Sequence, residues 1–467
     1  MLALFIVGYI ALFAALACQK LYFFRQGFDM AGNEQTIWNT LHGRPFRTSI
    51  FAMMQYDFDD GPVLLQLPLA LIYGIYQSPY TLLVMQTIAL GLAAWPLYLI
   101  GRGILPERWQ ALALAGAYLL HPTTQHINMY EFQLRSFMVP FALSALLFLH
   151  RQRLGWYALF LCLMLCTKTE AGFTLMAFGA YALVTRRPWR FAALPLVLGP
   201  AWVFMALGVV VPAFSQGDFI KDIYSYGKLG DSVGDVMVTM LTNPLLTLQV
   251  ITEPAKLGYL LRLFGITAFL SLLSPTLILA LPVLMLNLIS PNAVQFSLNY
   301  QYGALVYPFL LVGMAEGLVN LSRWLVRSDE RRPRIVGAGV AALLLLSLTA
   351  SLTLNSAIKT ALSNKETPER ARDAREILAE VPPDAALAAS TFLAPHLAQR
   401  EQLYFFPGNN SYPAAYVDKA EYLVADRRPP GNSAKIIAAL DGYLNNPAWR
   451  IVAEQGDFVL LRQEKTE

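Results

Sequence analysis

The sequence predicts an α-helical polytopic membrane protein of about 11 transmembrane helices, with a small α/β extracytoplasmic domain at its C-terminal end. Three observations predict it. The 467 residues are 56% hydrophobic and 14% charged, against about 25% charged in an average soluble protein, and the mean hydropathy is +0.46. Apolar runs recur along the chain and are closed by arginines. Near residue 357 the composition changes to that of a water-soluble domain. The expected organisation is a multispan domain over 1–357 and an α/β domain over 358–467.

The opening run, MLALFIVGYIALFAALACQK, lacks a basic start and is long enough to span, so it is the first transmembrane helix rather than a signal peptide. A polar first outer loop follows at 20–62. Val63–Tyr76 is apolar but short and contains Pro68, which fits an interfacial or re-entrant piece. A clear span at 79–101 is closed by Arg102 and Arg108. Runs at 109–121 and 136–150 flank the insert HPTTQHINMYEFQLRS, and Arg151 and Arg153 mark the next turn. Runs at 155–167 and 171–185 flank Lys168-Thr169-Glu170 and end at Arg186, Arg187 and Arg190. A long span at 191–212 leads into a polar loop at 213–256. Spans at 257–273, 275–291 and 302–322 precede the arginines at 323–334, and a last span covers 335–357. Placing the arginine turns in the cytoplasm puts the N-terminus inside and the C-terminal domain outside.

In the tail, NKETPERARDAREILAE reads as an amphipathic helix stopped by Pro382-Pro383. AALAAS, QLYFFPG and AEYLVADRR read as strands, IIAALDGYL as a helix, and WRIVAEQGDFVLLRQ as a hairpin. About 110 residues suffice for a small domain.

Composition also excludes. Net charge is +4 with the basic residues dispersed, so there is no concentrated face for nucleic acid. Cys18, Cys162 and Cys166 lie in apolar runs and read as small buried hydrophobes, with no disulfide framework. There is no G-x-x-x-x-G-K-[ST], H-E-x-x-H or C-x-x-C.

The expected topology puts the polar inserts on one side, where they suggest an outward-opening cavity. Phe28–Pro62 carries Asp29, Glu34, Asp57, Asp59 and Asp60, with Arg44, Arg47 and His42. Ionisable groups beside a bilayer are expensive, so their clustering points to function; an ordinary solvated loop is the plain alternative. Glu131 and Arg135, with His121 and His126, occupy the insert between two short spans, where charges could equally pair with each other. Lys168 and Glu170 interrupt an otherwise apolar stretch and stand close enough for a local ion pair; Lys168 is also a phosphate partner by chemistry. Asn299, Tyr300, Gln301 and Tyr302 offer the aromatic faces and hydrogen bonds of a carbohydrate site, or of an interfacial belt.

FDMAGNEQTIWNTLHGRPF, SPYTLLVMQTIALGLAAWPLYLIGR, HINMYEFQLRSFMVPFAL, CTKTEAG, LLSPTLILALPVLMLNLIS and, in the tail, VPPDAALAAS and LAPHLAQREQLYFFP resemble the bacterial membrane proteins grouped as domain of unknown function 2079. The resemblance runs in order from about residue 28 to 425. That family looks like a branch of the GT-C glycosyltransferases, multispan enzymes using polyprenyl-phosphate-linked sugars with a catalytic acid in the first outer loop. The resemblance implies that Asp29 matches the family's aromatic-Asp start and that Glu34 falls near a second acidic position. It also matches Glu131 to the acid of the insert, and Lys168 and Glu170 to a Lys-acid turn. The chain departs from the pattern at Asp59-Asp60-Gly61-Pro62 and at Gln133, where histidines are expected.

The expected activity is therefore transfer of a sugar from a polyprenyl-phosphate donor to an unidentified acceptor on the outer face of the bacterial inner membrane. Asp29 is the expected general base, with Glu34 or Asp59 next. Lys168, Arg135 and Arg44 are the candidate cations for the leaving phosphate, Glu131, Glu170, Tyr300 and Tyr302 further substrate-binding candidates, and a divalent cation held by carboxylates is an alternative. Membrane lipids are expected partners. The competing expectation is a transporter or lipid flippase that binds without chemistry, and a third is a scaffold whose tail binds partners.

Overall fold

A computed structural model describes residues 1–50, 56–58, 61–214, 226–326, 328–353, 358–359, 367–408, 414–429 and 433–464. Asp59 and Asp60 lie outside these residues.

The chain forms two compact units: Met1–Leu16, Val84–Val210 and Lys221–Leu362 in the first, and Ala17–Leu83, Val211–Ile220 and Ser363–Glu467 in the second. Among the described residues, five helices are long and apolar enough to cross a membrane: Leu2–Tyr22, Pro79–Ile104, Trp189–Phe214, Gln301–Leu325 and Arg332–Thr353. Four shorter apolar helices accompany them, Arg135–His150, Leu154–Leu165, Glu170–Val184 and Leu277–Ile289. The expected count of about eleven is thus not reached by this measure. A 12-residue helix such as Leu154–Leu165 rises only about 18 Å, short of a hydrocarbon core of about 30 Å.

Within the first unit, Tyr307–Leu325 is enclosed along most of its length. Glu170–Val184 packs against Trp189–Met205 where glycines let the backbones meet. A Cβ on Gly179 would stand 2.4 Å from Leu196 Cγ, and one on Gly199 would stand 2.7 Å from the Gly172 carbonyl. Small residues at such crossings replace the hydrophobic drive that lipid cannot supply.

Two stretches expected as loops contain helices. The first outer loop holds Phe28–Leu41 and the insert holds Pro122–Met129. The described part of 213–256 carries Val233–Thr242 and Pro244–Ile251, capped by the Ser232 and Asn243 side chains.

The tail in the second unit is a small α/β fold. Its strands are β1 (Leu387–Ser390), β2 (Leu403–Phe406), β3 (Tyr422–Asp426), β4 (Trp449–Gln455) and β5 (Phe458–Gln463). They lie in the order β2-β1-β3-β5-β4. β1 is parallel to β2 and β3, while β5 is antiparallel to β3 and β4. β1 and β2 are buried throughout, as parallel strands covered on both faces should be. Thr367 caps the helix Pro368–Ala379 by accepting from Arg370 N–H, with Pro368 at its first position. Arg370 then pairs with Asp426 at 2.6 Å and Asp457 at 2.5 Å.

Candidate functional site

In the second unit, the acidic segment becomes a helix between two interruptions. Gly27 precedes it outside the helical region, and Gly43, at φ +78, follows its end. Asp29 in the first turn suits the positive end of the helix dipole. The polar side chains do not need water because they bond within the helix or to packed neighbours. Thr36 Oγ1 donates to the Gly32 carbonyl at 2.8 Å, and Thr40 Oγ1 to the Thr36 carbonyl at 2.7 Å. Asn33 Nδ2 donates to the Asp29 carbonyl at 2.7 Å.

Gln35 is wholly buried and ties this helix to the tail. Its Nε2 donates to Ser49 Oγ at 2.9 Å and to the Arg400 carbonyl at 3.0 Å. Its Oε1 accepts from Thr48 Oγ1 and Ser49 N–H at 2.9 Å each. Ser49 Oγ in turn donates to the Leu403 carbonyl and accepts from Leu403 N–H. Position 49 thereby continues the polar ladder at β2.

Glu34 is also wholly buried. Its Oε1 accepts from Tyr73 Oη at 2.7 Å and from Gln399 Nε2 at 3.2 Å, while Oε2 has no hydrogen-bond partner. Burial raises its pKa from 4.5 to about 8, although both hydrogen bonds pull the other way. At neutral pH the group is mostly a neutral acid. Asp29, by contrast, is half-buried in the first turn.

Arg44 makes three side-chain contacts. Its Nη1 stands 2.8 Å from Glu401 Oε1, its Nε donates to Asn39 Oδ1 at 2.9 Å, and the guanidinium lies 5.3 Å from the Trp38 ring centre. Asp57 is buried and accepts from Gln66 Nε2 at 2.5 Å. Among the described residues, no three His, Cys, Asp or Glu side chains are grouped to hold a metal ion.

In the first unit, the insert is held by two polar residues of the span Pro79–Ile104. Gln86 Nε2 donates to the Asn128 and Glu131 carbonyls at 3.0 Å each, and its Oε1 accepts from Gln133 N–H at 2.7 Å. Thr87 Oγ1 donates to Asn128 Oδ1 at 3.0 Å. Glu131 is half-buried, and Gln133 contributes its backbone where a histidine side chain was expected.

Arg135 and Glu170 form a two-pronged pair, Nε to Oε1 at 2.5 Å and Nη2 to Oε2 at 2.7 Å. Their side chains are only 9% and 16% exposed. Each begins a helix; the carboxylate suits that end and the guanidinium does not, so the pair offsets the mismatch. The pairing joins residues 35 apart rather than neighbours within the insert. Arg135 also lies 4.9 Å from the Tyr302 ring centre, and Tyr130 meets Tyr300 edge-on at 5.3 Å. Lys168 is half-buried beside Thr169. Thus Arg135, Glu170 and Tyr302 come together, and Tyr300 joins Tyr130 of the insert. The signal that could have revealed the Gln35 and Gln86 hubs is an amide within a run of helix-spaced apolar residues, each able to satisfy several backbone groups at once.

No curated protein matches the sequence. Among solved structures, the chain is similar to ArnT from Cupriavidus metallidurans in the apo state, with a TM-score of 0.51, 13% identity, and coverage of 97% of this chain and 98% of that one. The Archaeoglobus fulgidus oligosaccharyltransferase complex with Zn and sulfate aligns at a TM-score of 0.45 and 16% identity, covering 96% of this chain and 72% of that one. The ArnT likeness shows a shared fold. The family model described as predicted membrane protein, DUF2079, matches residues 20–460, and the chain belongs to that family.

Proposed function

We propose that this protein is a membrane glycosyltransferase that moves a sugar from a polyprenyl-phosphate donor to an acceptor hydroxyl on the outer face of the bacterial inner membrane. The observation that carries the reading is a fold shared with ArnT along 97% of the chain, in which a carboxylate-bearing helix, Phe28–Leu41, directly follows the first apolar helix.

The chemistry is an inverting displacement. The acceptor oxygen attacks the anomeric carbon, its proton passes to a carboxylate, and the bond to the donor phosphate breaks with its electron pair leaving on phosphate. Asp29 is the base. Glu34 is enclosed, largely protonated at neutral pH and engaged by Tyr73 and Gln399, so it positions the helix instead. The charge that develops on the departing phosphate needs a cation. Lys168, Arg135 and Arg44 are the candidates for that role, Arg44 being paired with Glu401 and Arg135 with Glu170.

The test follows donor consumption by the purified protein in nanodiscs, with a panel of labelled polyprenyl-phosphate sugars and membrane extract as acceptor source. Turnover by wild type that Asp29→Asn abolishes is the expected result. Donor that binds and is never consumed would replace this reading with a transporter or flippase.

A further inference from the structure

The first unit contains a second polar centre that the transfer reaction does not use. A cavity of about 700 Å³ is lined by Arg102, Arg151, Arg187 and Arg323, together with Glu316 and His150. Pockets of roughly 300–1,000 Å³ accommodate small ligands. The four arginines come from four separate C-terminal helix ends. Arg102 lies in the last turn of Ala94–Ile104, Arg151 caps Arg135–His150, Arg187 follows Glu170–Val184, and Arg323 lies in the last turn of Tyr307–Leu325.

Attraction to the negative ends of helix dipoles explains why arginines stand there. It does not explain their state. Among the described residues none of the four has a carboxylate within salt-bridge distance, whereas Arg135, Arg332, Arg370 and Arg427 each do. Arg187 Nε is buried with no hydrogen-bond partner. Arg102 reaches only the Tyr98 hydroxyl, at 3.2 Å. The one carboxylate of the cavity, Glu316, accepts the hydroxyls of Ser274 and Thr276 on Oε2. A buried guanidinium nitrogen without an acceptor is costly, and an incoming oxyanion would satisfy it.

We propose that this cavity binds a phosphate group through the guanidinium groups of Arg187, Arg151, Arg102 and Arg323. Guanidinium groups match phosphate oxygens in charge and in fork geometry. Basic pockets between membrane helices take phospholipid headgroups. Trp189 and Trp324, 78% and 82% exposed, flank Arg187 and Arg323 in sequence and fit the headgroup level of a bilayer. The phosphate belongs either to such a lipid or to a soluble phosphate compound. The assignment is independent of the transfer reaction.

The experiment uses the full chain in two arms. In the lipid arm, nanodiscs of phosphatidylcholine with and without phosphatidic acid are compared, and native mass spectrometry counts retained phosphatidic acid after mild extraction. In the soluble arm, inorganic phosphate and pyrophosphate are titrated and thermal shifts recorded. Arg187→Gln and Arg151→Gln are compared with Arg153→Gln, which removes a charge from the same turn but does not line the cavity. We expect each cavity variant to lose retention, or the thermal shift, by roughly five- to tenfold while Arg153→Gln resembles wild type. Retained lipid with no effect of soluble phosphate identifies a headgroup; the reverse identifies a soluble ligand. Equal loss in Arg153→Gln would show that only overall charge matters and would overturn the site. So would wild type that prefers neither phosphatidic acid nor either soluble anion. Should the glutamine variants fail to fold, Arg187→Lys keeps the charge without the fork and must still weaken binding.

Discussion

Tyr73 Oη donates a 2.7 Å hydrogen bond to Glu34 Oε1, and Gln399 of the tail donates to both residues, at 3.2 Å to Glu34 and 2.8 Å to Tyr73. The three groups close a small polar knot in the second unit, and its protonation state has a thermodynamic consequence. Glu34 titrates near 8 in the folded protein because burial disfavours its charge, against 4.5 for an ordinary glutamate. The folded state therefore holds the proton over a window in which the unfolded chain has released it. Stability contributed by this group is complete below the ordinary value, declines as pH rises from about 4.5 to about 8, and levels off above. Glu34→Gln keeps an acceptor for Tyr73 and removes the ionisation. It should match wild type near pH 5 and exceed it at pH 9, by an amount on the order of a few kcal/mol. Thermal unfolding in nanodiscs at both pH values reads this directly; parallel pH curves for the two proteins would refute it.

Why was this knot hidden while so much else was readable? Apolar run length marks membrane helices regardless of their neighbours, and the runs at 79–101 and 335–357 lie inside observed helices or overlap them closely. The tail strands also declare themselves, since Leu403–Phe406 and Tyr422–Asp426 are short apolar runs between breakers. The acidic segment reads as a loop because its polar residues interrupt the apolar pattern, yet it holds the helix Phe28–Leu41. Thr36 and Thr40 return their hydroxyls to the helix backbone, and Gln35 meets backbone groups beyond residue 399. Such long-range satisfaction leaves no local pattern. Asp29 and Glu34 were found as acids, but their division into a half-buried and an enclosed carboxylate depends on packing by residues 39 and 365 positions away. The Arg135–Glu170 pair was likewise invisible as a pair, because each residue had a charged neighbour nearer in sequence.

That pair supplies a second prediction. Both charges are mostly withdrawn from water, so removing one leaves the other uncompensated. Arg135→Met or Glu170→Leu alone should destabilise by roughly 2–4 kcal/mol, somewhat below the 3–5 kcal/mol of fully buried pairs. The combined Arg135→Met, Glu170→Leu protein should recover much of that loss, because the desolvation cost disappears with both charges. A double-mutant cycle in thermal or denaturant unfolding measures it. Additive losses would mean that the two side chains do not depend on each other.

Gln35 makes a third. Its Oε1 accepts two backbone N–H groups, Ser49 at 2.9 Å and Ile50 at 3.2 Å; Gln35→Ala orphans the Ser49 N–H and leaves the Ile50 N–H only Thr48 Oγ1, at 3.2 Å. The expected cost is roughly 1–3 kcal/mol. Hydrogen exchange should accelerate first at Ser49, Ile50 and Leu403, since Ser49 Oγ also bonds to both polar groups of the Leu403 backbone. Exchange that rises evenly over the second unit would show that Gln35 contributes general stability and no local tether.

The division of labour between the two acids of one helix gives the last prediction. If Asp29 removes the acceptor proton, Asp29→Asn loses that base while its shape and helix-end position persist, and kcat should fall by about 10²–10⁴. Glu34→Gln should retain most of its turnover at pH 7, where Glu34 is already largely neutral, and should differ from wild type mainly above pH 8. The pH profile therefore separates the roles better than activity at a single pH. A basic-limb decline in wild type that Glu34→Gln removes would mark ionisation of the knot disturbing the helix that carries Asp29. Full turnover by Asp29→Asn, together with a dead Glu34→Gln that folds normally, would reverse the assignment and make the buried acid the proton acceptor.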